Sequence, residues 1–184
     1  MFTWPILPNL PDVRMDGYNN RLHQRLAQLF GEYSKVGRQL QNPPTCRRTK
    51  DAAQVIADDA AAKVTFATVG WDTHGYWDAT NNKYLPLDFA GYYRVSAKLS
   101  FKPQAVTTAN RRVAIYRNNT EYSSVTVPQT ENLRVVVLVT DLVYLDGQSD
   151  QVEIYAICGE ACEIEAEAYR TSFAIEYVGA DQLL

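Results

Sequence analysis

The spacing of hydrophobic residues divides the chain into three parts. Residues 1–16 carry proline at every third position of their middle section, a repeat typical of polyproline II. Residues 17–41 place apolar side chains at alternating spacings of four and three, as on one face of a helix. Residues 63–179 consist of short β-rich runs in which apolar and polar side chains alternate. The pattern therefore predicts an extended arm, one helix and a β domain, in that order.

The arm is too hydrophobic for an ordinary free tail. Its prolines are Pro5, Pro8 and Pro11. Four apolar side chains accompany them: Trp4, Ile6, Leu7 and Leu10. We expect these side chains to anchor the arm in a groove on a partner or on a neighbouring subunit. A disordered tail is the alternative.

The helical segment carries a seam of the kind found in coiled coils. The residues at its a and d positions are Leu22, Leu26, Leu29, Tyr33, Val36 and Leu40. Pro43 and Pro44 end the segment. Three copies joined along this seam and a helix packed on its own domain are both compatible with the pattern.

The remainder of the chain is predicted to be a mainly β domain behind a connector. Residues 46–62 are rich in alanine and mixed in charge, which favours a short helix or a connector. Roughly eight to ten strands follow, separated by turns, and this number indicates an antiparallel sandwich or barrel. The predicted division is 1–45 for arm and helix, 46–62 for the connector, and 63–184 for the head domain. The strand runs are 64–69, 92–99, 112–116, 123–127, 133–140, 151–157, 163–169 and 172–178.

One strand carries a recognisable signature. The run Gly-Tyr-Tyr-Arg-Val-Ser-Ala at 91–97 follows an aromatic residue and a proline, Tyr84 and Pro86. Three later runs continue the same order: 115–119 with its Asn-Asn turn, 150–154 and 172–177. Together they resemble the globular heads of complement component 1q and tumour necrosis factor.

The resemblance covers about residues 63–179 and departs from the family at two points. Pro86 lies two residues further from Gly91 than is usual, and Ile175 stands where the family closes with glycine. The resemblance implies an antiparallel jelly-roll sandwich of about ten strands that assembles as a homotrimer.

The charge balance and the hydropathy of the chain argue against two kinds of partner, nucleic acid and membrane. Lys and Arg number 18 against 21 Asp and Glu, so no basic excess is present to bind nucleic acid. The strongest apolar run, 135–139, is too short to span a bilayer, and we expect no membrane insertion. The first residues have neither the basic region nor the apolar run of a signal peptide, so we expect no export by the general route.

Candidate chemistry is sparse. Asp72, His74 and Asp78 are residue types that bind metals, but exposed polar residues are also ordinary in such a glycine-containing loop. No serine or cysteine nucleophile stands beside a base in a known motif. We therefore expect no catalytic residue, no metal and no cofactor. The aromatic residues of the same loop are candidates for recognising a sugar or a protein, or for a trimer interface: Trp71, Tyr76 and Trp77.

Two cysteines and three glutamates stand close together near the C-terminus. Cys158 and Cys162 flank three residues, and a hairpin there would bring them within disulfide reach, whereas a straight strand would hold them about 13 Å apart. The sequence does not indicate whether these two cysteines are free thiols or a disulfide. Glutamates at 163, 165 and 167 alternate with apolar residues, which predicts a solvated acidic face, with a bound divalent cation as the alternative.

The order of arm, helix and head suggests the function. With neither collagen nor a signal peptide ahead of the head, the chain resembles structural proteins of bacteriophage particles. The first hypothesis is a homotrimeric capsid decoration or fibre protein, assembled in the host cytoplasm, attached to other virion proteins by its arm and projecting its head towards a host surface glycan or protein. The second is a soluble trimeric ligand-recognition module. The third is a jelly-roll carbohydrate-active enzyme with two carboxylates placed across loops.

Overall fold

The computed structural model describes residues 18–104, 109–130 and 132–180. Within the helix it describes the side chains of residues 21–31 and 37. The chain divides into two compact units, Met1–Gln41 and Asn42–Leu184, each of which is described by itself below. The predicted anchor residues of the arm lie outside the described residues: Trp4, Ile6, Leu7 and Leu10.

The predicted helix is present as α1, Tyr18–Gln41, and it ends shortly before the two prolines. Leu22, Leu26 and Leu29 lie on one face and are 50%, 41% and 49% exposed. The side chains of the other predicted seam residues lie outside the description: Tyr33, Val36 and Leu40. No helix in the described part of the chain is long and apolar enough to cross a membrane.

The second unit contains thirteen strands among the described residues. The first seven are β1 (Thr45–Thr49), β2 (Gln54–Ile56), β3 (Ala62–Lys63), β4 (Thr68–Asp72), β5 (Trp77–Asp78), β6 (Lys83–Tyr84) and β7 (Gly91–Phe101). The others are β8 (Ala109–Arg117), β9 (Thr120–Gln129), β10 (Val135–Leu145), β11 (Val152–Cys158), β12 (Cys162–Ile164) and β13 (Ser172–Gly179).

These strands form two sheets of antiparallel pairs, and the prediction of a β-sandwich is confirmed. The front sheet has the order β2-β12-β7-β13-β1-β4, with β10 paired along the full length of β7. The back sheet has the order β5-β6-β11-β8-β9, with β3 paired to β11. Along the longer strands, apolar side chains point into the space between the two sheets and alternate with side chains that point to solvent, as in other sandwiches.

The core follows the alternation of β7. Tyr93, Val95 and Leu99 are fully buried between the sheets, whereas Tyr92 and Arg94 face outwards. Strand β13 adds Phe173 and Ile175 to the same core, opposite the inner residues of the back sheet. The runs that carry the family resemblance at 91–97 and 172–177 are therefore neighbouring strands of one sheet.

The prediction of a helix or connector over 46–62 is wrong. Strand β1 lies between β13 and β4 and buries Cys46 and Arg48, and β2 pairs with β12. The β unit consequently begins at Asn42 rather than at residue 63. The alanine content and mixed charge of the segment favoured a helix or connector, but the buried Arg48 lies near the carboxylate of Asp72 and over the ring of Trp77.

Two predicted strands are shorter than expected. Over 64–69, Val64 and Phe66 are buried in an irregular segment before β4, where Asn82 Oδ1 accepts a hydrogen bond from the Phe66 amide. Over 163–169, β12 stops at Ile164. The acidic face predicted there is also wrong, because Glu165 turns inwards and is only 7% exposed. Its carboxylate accepts hydrogen bonds from Arg134 and Ser100.

Candidate interaction site

The outer face of the front sheet carries an apolar strip along β10. Val136, Leu138 and Leu142 point to solvent and are 48%, 58% and 47% exposed. They alternate with the inward-facing side chains of the same strand because successive side chains of a strand point to opposite faces. Both faces of β10 are therefore largely apolar, although only one of them lies in the core. We call these three residues the β10 strip.

Beside the β10 strip, the outer face continues with tyrosines and an ion pair. Tyr92 of β7 packs edge-to-face on Tyr144 of β10, with ring centroids 5.4 Å apart. Arg94 and Glu176 form an ion pair at 2.5 Å in which both side chains are about half exposed. Such a surface pair contributes little stability by itself, so its charges remain available to a partner.

A shallow groove crosses the same face on the side of β4. It has a volume of about 270 Å³ and is lined by Trp71, Ser96, Ala174 and Glu176, among others. Trp71 is 49% exposed, and the Arg47 guanidinium lies 5.5 Å from its ring centroid. An adjoining depression reaches from Trp71 to Leu138 of the β10 strip. The face thus joins the apolar β10 strip to a groove that contains Trp71.

The three aromatic residues proposed for recognition do not lie together on the surface. Trp71 is exposed in the groove, but Tyr76 is partly buried and packs on the core. Trp77 is only 8% exposed and contacts Phe66 and Phe173, so its assignment to a surface is wrong. Alternation explains the error, since neighbouring residues of an extended segment cannot all face outwards.

The polar residues of the same loop stabilise its turns. Asp72 accepts hydrogen bonds from the backbone amides of Gly75, Tyr76 and Trp77. Asp78 accepts from the amide and the side chain of Asn81. The described residues contain no group of three or more His, Cys, Asp or Glu side chains suited to hold a metal ion.

Two buried titratable residues in and beside β1, Cys46 and Lys50, were not predicted from the sequence. Cys46 is 1% exposed, and burial raises the pKa of its thiol to about 12. Lys50 is 2% exposed, and burial lowers the pKa of its ammonium group to about 8. Its Nζ donates to Gln54 Oε1 and to the carbonyl and hydroxyl oxygens of Thr65, at 2.8–3.0 Å. No local sequence signal distinguishes this lysine from an exposed one.

Cys158 and Cys162 form a disulfide with Cα atoms 6.2 Å apart. The segment between them is neither a hairpin nor a straight strand, because the two flanking strands belong to different sheets. Cys158 ends β11 in the back sheet, and Cys162 begins β12 in the front sheet. The disulfide therefore spans a corner at which the chain crosses the sandwich.

The Asn118-Asn119-Thr120 sequon forms a tight turn, as its sequence predicts. Both asparagines have positive φ, 52° and 63°. The Asn118 side chain donates to Asp150 and accepts from the amide of Gln151, so both ends of its amide group are used within the fold.

Comparison with known proteins identifies the fold. No family model matches the sequence, and no curated protein matches it. Among solved structures, Eiger TNF from S. frugiperda is similar with a TM-score of 0.59 and 8% identity, covering 76% of this chain and 96% of that one. Murine APRIL at pH 5.0 is similar with a TM-score of 0.57 and 8% identity, covering 74% and 99%. The jelly-roll fold that the resemblance implied is confirmed.

Proposed function

We propose that this protein is a homotrimeric recognition module whose heads associate through the outer face of the front sheet. The observation that carries the proposal is the β10 strip. Three apolar side chains point to solvent on one face of a regular strand, with Thr140 between Leu138 and Leu142, and exposed apolar patches mark protein interfaces. The fold supports this function, the second of the three hypotheses, because Eiger TNF and murine APRIL are similar to it in structure.

The face offers two different surfaces, which favours a ring over a two-fold dimer. A two-fold interface pairs one patch with itself, whereas a ring pairs one patch with another. In the proposed ring, the β10 strip of one copy packs into the groove beside Trp71 in the next copy. The resemblance to tumour necrosis factor and complement 1q heads implies three copies in such a ring.

Helix α1 supplies a second contact between the copies in this proposal. The described leucines of the seam, Leu22, Leu26 and Leu29, are each about half exposed in the single chain. Phe30 lies beside them and is 72% exposed. Parallel association of three helices would bury these side chains and stabilise the assembly at its N-terminal end.

The virion hypothesis adds a particle to this trimer. It depends on the arm anchor at Trp4, Ile6, Leu7 and Leu10, which lies outside the described residues. Attachment to a particle, and assembly in a host cytoplasm, therefore stay predictions. The carbohydrate-active enzyme has less support, because several glutamates and aspartates already pair with arginine, lysine or backbone amides in the described structure.

The test is the oligomeric state of the full chain. We expect the wild-type protein to sediment as a trimer at micromolar concentration. Leu138→Glu should weaken association at least about tenfold, because it buries a charge in the interface. Leu87→Glu is the matched control, since Leu87 is 45% exposed on the loop before β7. A monomeric wild-type chain, or equal association of both variants, would overturn the proposal.

A further inference from the structure

The disulfide between Cys158 and Cys162 closes a five-residue ring at the corner between the two sheets. Cys158 is fully buried, and Cys162 is 5% exposed. The backbone amide of Gly159, inside the ring, donates to the carbonyl of Asn110 on β8. The ring is therefore attached to the back sheet on one side and leads into the front sheet on the other.

A buried cation depends on this ring. Arg111 of β8 is 0% exposed, and burial lowers the pKa of its guanidinium group. The hydrogen-bond acceptors that the described residues supply to it are neutral. They are Oε1 of Gln129 at 2.8 Å, Oε1 of Gln104 at 3.0 Å, and the carbonyl oxygens of Glu160 and Asn110 at 3.3 and 3.4 Å. A buried guanidinium is costly unless such acceptors stay in place.

The ring holds two of these four acceptors in place, one directly and one through Gln104. The carbonyl of Glu160 accepts directly from Arg111, and the carbonyl of Ala161 accepts from Gln104 Nε2 at 2.6 Å. Gln104 thereby orients its own Oε1 towards the guanidinium. The disulfide keeps the two ring carbonyls in position because it fixes both ends of the short segment that carries them.

The strands beyond the ring have short pairings, although Ile56 and Ile164 are fully buried in the core. Strands β2 and β12 pair over only three residues each, and Val55 in the centre of β2 is 74% exposed. Glu163 pairs with Lys102, but that pair is partly exposed and contributes little. Regions with short ladders and exposed backbone open first in a folded protein. The β2–β12 corner is such a region once its covalent link is removed.

Cys162 borders the surface, whereas Cys158 does not. A surface groove of about 290 Å³ is lined by Cys162, Val55, Pro103 and Gln104. Cys158 lies behind Cys162 in the core. A thiolate entering this groove therefore meets Cys162 first, and Cys158 is the leaving group.

We propose that the Cys158–Cys162 disulfide is a redox-sensitive clasp, which a dithiol reductant opens from this groove to release the β2–β12 corner. The reductant thiolate attacks Cys162 Sγ, the S–S bond breaks, and its electron pair leaves on Cys158 Sγ, which takes up a proton. The second thiol of the reductant then attacks the mixed disulfide, so that Cys162 leaves as a thiol and the reductant becomes a cyclic disulfide. The sandwich around β7 and β13 keeps its fold.

Hydrogen exchange of the full chain, with and without dithiothreitol, tests the clasp. On reduction we expect amide exchange at residues 54–56 and 159–165 to accelerate about tenfold or more, with β7 and β13 unchanged. Cys158→Ala/Cys162→Ala should exchange fast in this corner with or without the reductant. Unchanged exchange at the corner, equal acceleration in β7 and β13, or three titratable thiols in the untreated unfolded chain would each overturn the proposal.

A second measurement tests the role of the ring contacts without altering either sulfur. The rate at which dithiothreitol reduces the disulfide is followed by trapping the free thiols with iodoacetamide. Gln104→Ala should raise this rate several-fold, because Ala161 loses its donor and the ring opens more often. Gln148→Ala, an exposed glutamine in the turn before β11, is the matched control and should leave the rate unchanged. Equal rates for the two variants would contradict the coupling between ring and clasp.

Discussion

Gly91 at the start of β7 lies against Gly179 at the end of β13 so closely that a Cβ atom on Gly91 would be 2.4 Å from the Gly179 carbonyl oxygen. The same Cβ atom would be 2.6 Å from the ring of Tyr177. Gly91 also has φ of 150°, a conformation that side chains disfavour. The glycine that opens the family signature is therefore required by the packing of its neighbouring strand.

Gly91→Ala is expected to destabilise the head by about 3 kcal/mol or more, because backbone strain and a clash with main-chain atoms add together. The measurement is the free energy of unfolding from chemical denaturation. Gly179→Ala is the matched control, since a Cβ atom there meets nothing within 4 Å. A loss of stability for Gly91→Ala no larger than that of the control would contradict the packing described here.

How much of this fold the sequence predicts depends on whether the signal is local. Alternation within the strands and the turns between them are local signals, and they were enough to predict an antiparallel sandwich or barrel, whereas the jelly roll followed from the family resemblance. Strand β1 was missed because its burial depends on partners far along the chain, Asp72 and Trp77 for Arg48. A short polar strand with two arginines has no local pattern that indicates burial.

The candidate interaction site and the disulfide corner also divide into features with a local sequence signal and features without one. The β10 strip has a sequence signal in retrospect, since 135–139 is apolar at every position and a strand buried on one face needs only every second one. The corner at Cys158 was not predicted, because a hairpin and a crossover between sheets have the same sequence spacing. Only the pairing of β12 with β2 and β7 distinguishes them.

Glu165 is expected to be the most important of the three alternating glutamates for stability. Arg134 contacts both of its carboxylate oxygens at 2.8 Å, and Ser100 donates to it at 2.6 Å. Glu165→Gln should cost about 1–2 kcal/mol, because it weakens charge-assisted hydrogen bonds to a nearly buried group. Glu163→Gln should cost less than about 0.5 kcal/mol, as expected for an exposed pair. Denaturation of both variants at neutral pH measures the difference, and equal losses would contradict this ranking.

Lys50 is expected to make stability rise with pH in the alkaline range. Its pKa is about 8 in the folded protein, below the value of about 10.4 for an unfolded chain. The folded state therefore carries the cost of a buried charge fully below pH 8, and that cost disappears as pH approaches 10.4. The gain is on the order of 1–3 kcal/mol.

The effect of Lys50 is measured as a difference between variants. Burial raises the pKa of Tyr84 and Tyr93, so these groups lower the stability of every variant as the unfolded chain ionises near pH 10. Lys50→Met should lack the wild-type gain between pH 8 and 10, whereas Lys102→Met at an exposed position should retain it. Parallel stability curves for the wild type and Lys50→Met would show that the buried ammonium has no such effect.

The helix seam gives the last prediction, which separates assembly from folding. In the full chain, Leu26→Asp/Leu29→Asp places two charges on the face that the proposed trimer buries, and each buried charge costs several kcal/mol. Gln24→Asp/Gln28→Asp is the matched control, because it adds the same charge to exposed positions of the same helix, where a seam would not reach. We expect the seam variant to raise the dissociation constant of the trimer at least about tenfold, measured by sedimentation equilibrium, and the control to leave it within about threefold. Both variants should keep the cooperative thermal unfolding of the head, since α1 and the β unit are separate compact units. If the seam variant associates as tightly as the control, Leu26 and Leu29 are not an interface, and the β10 strip alone must hold the copies together.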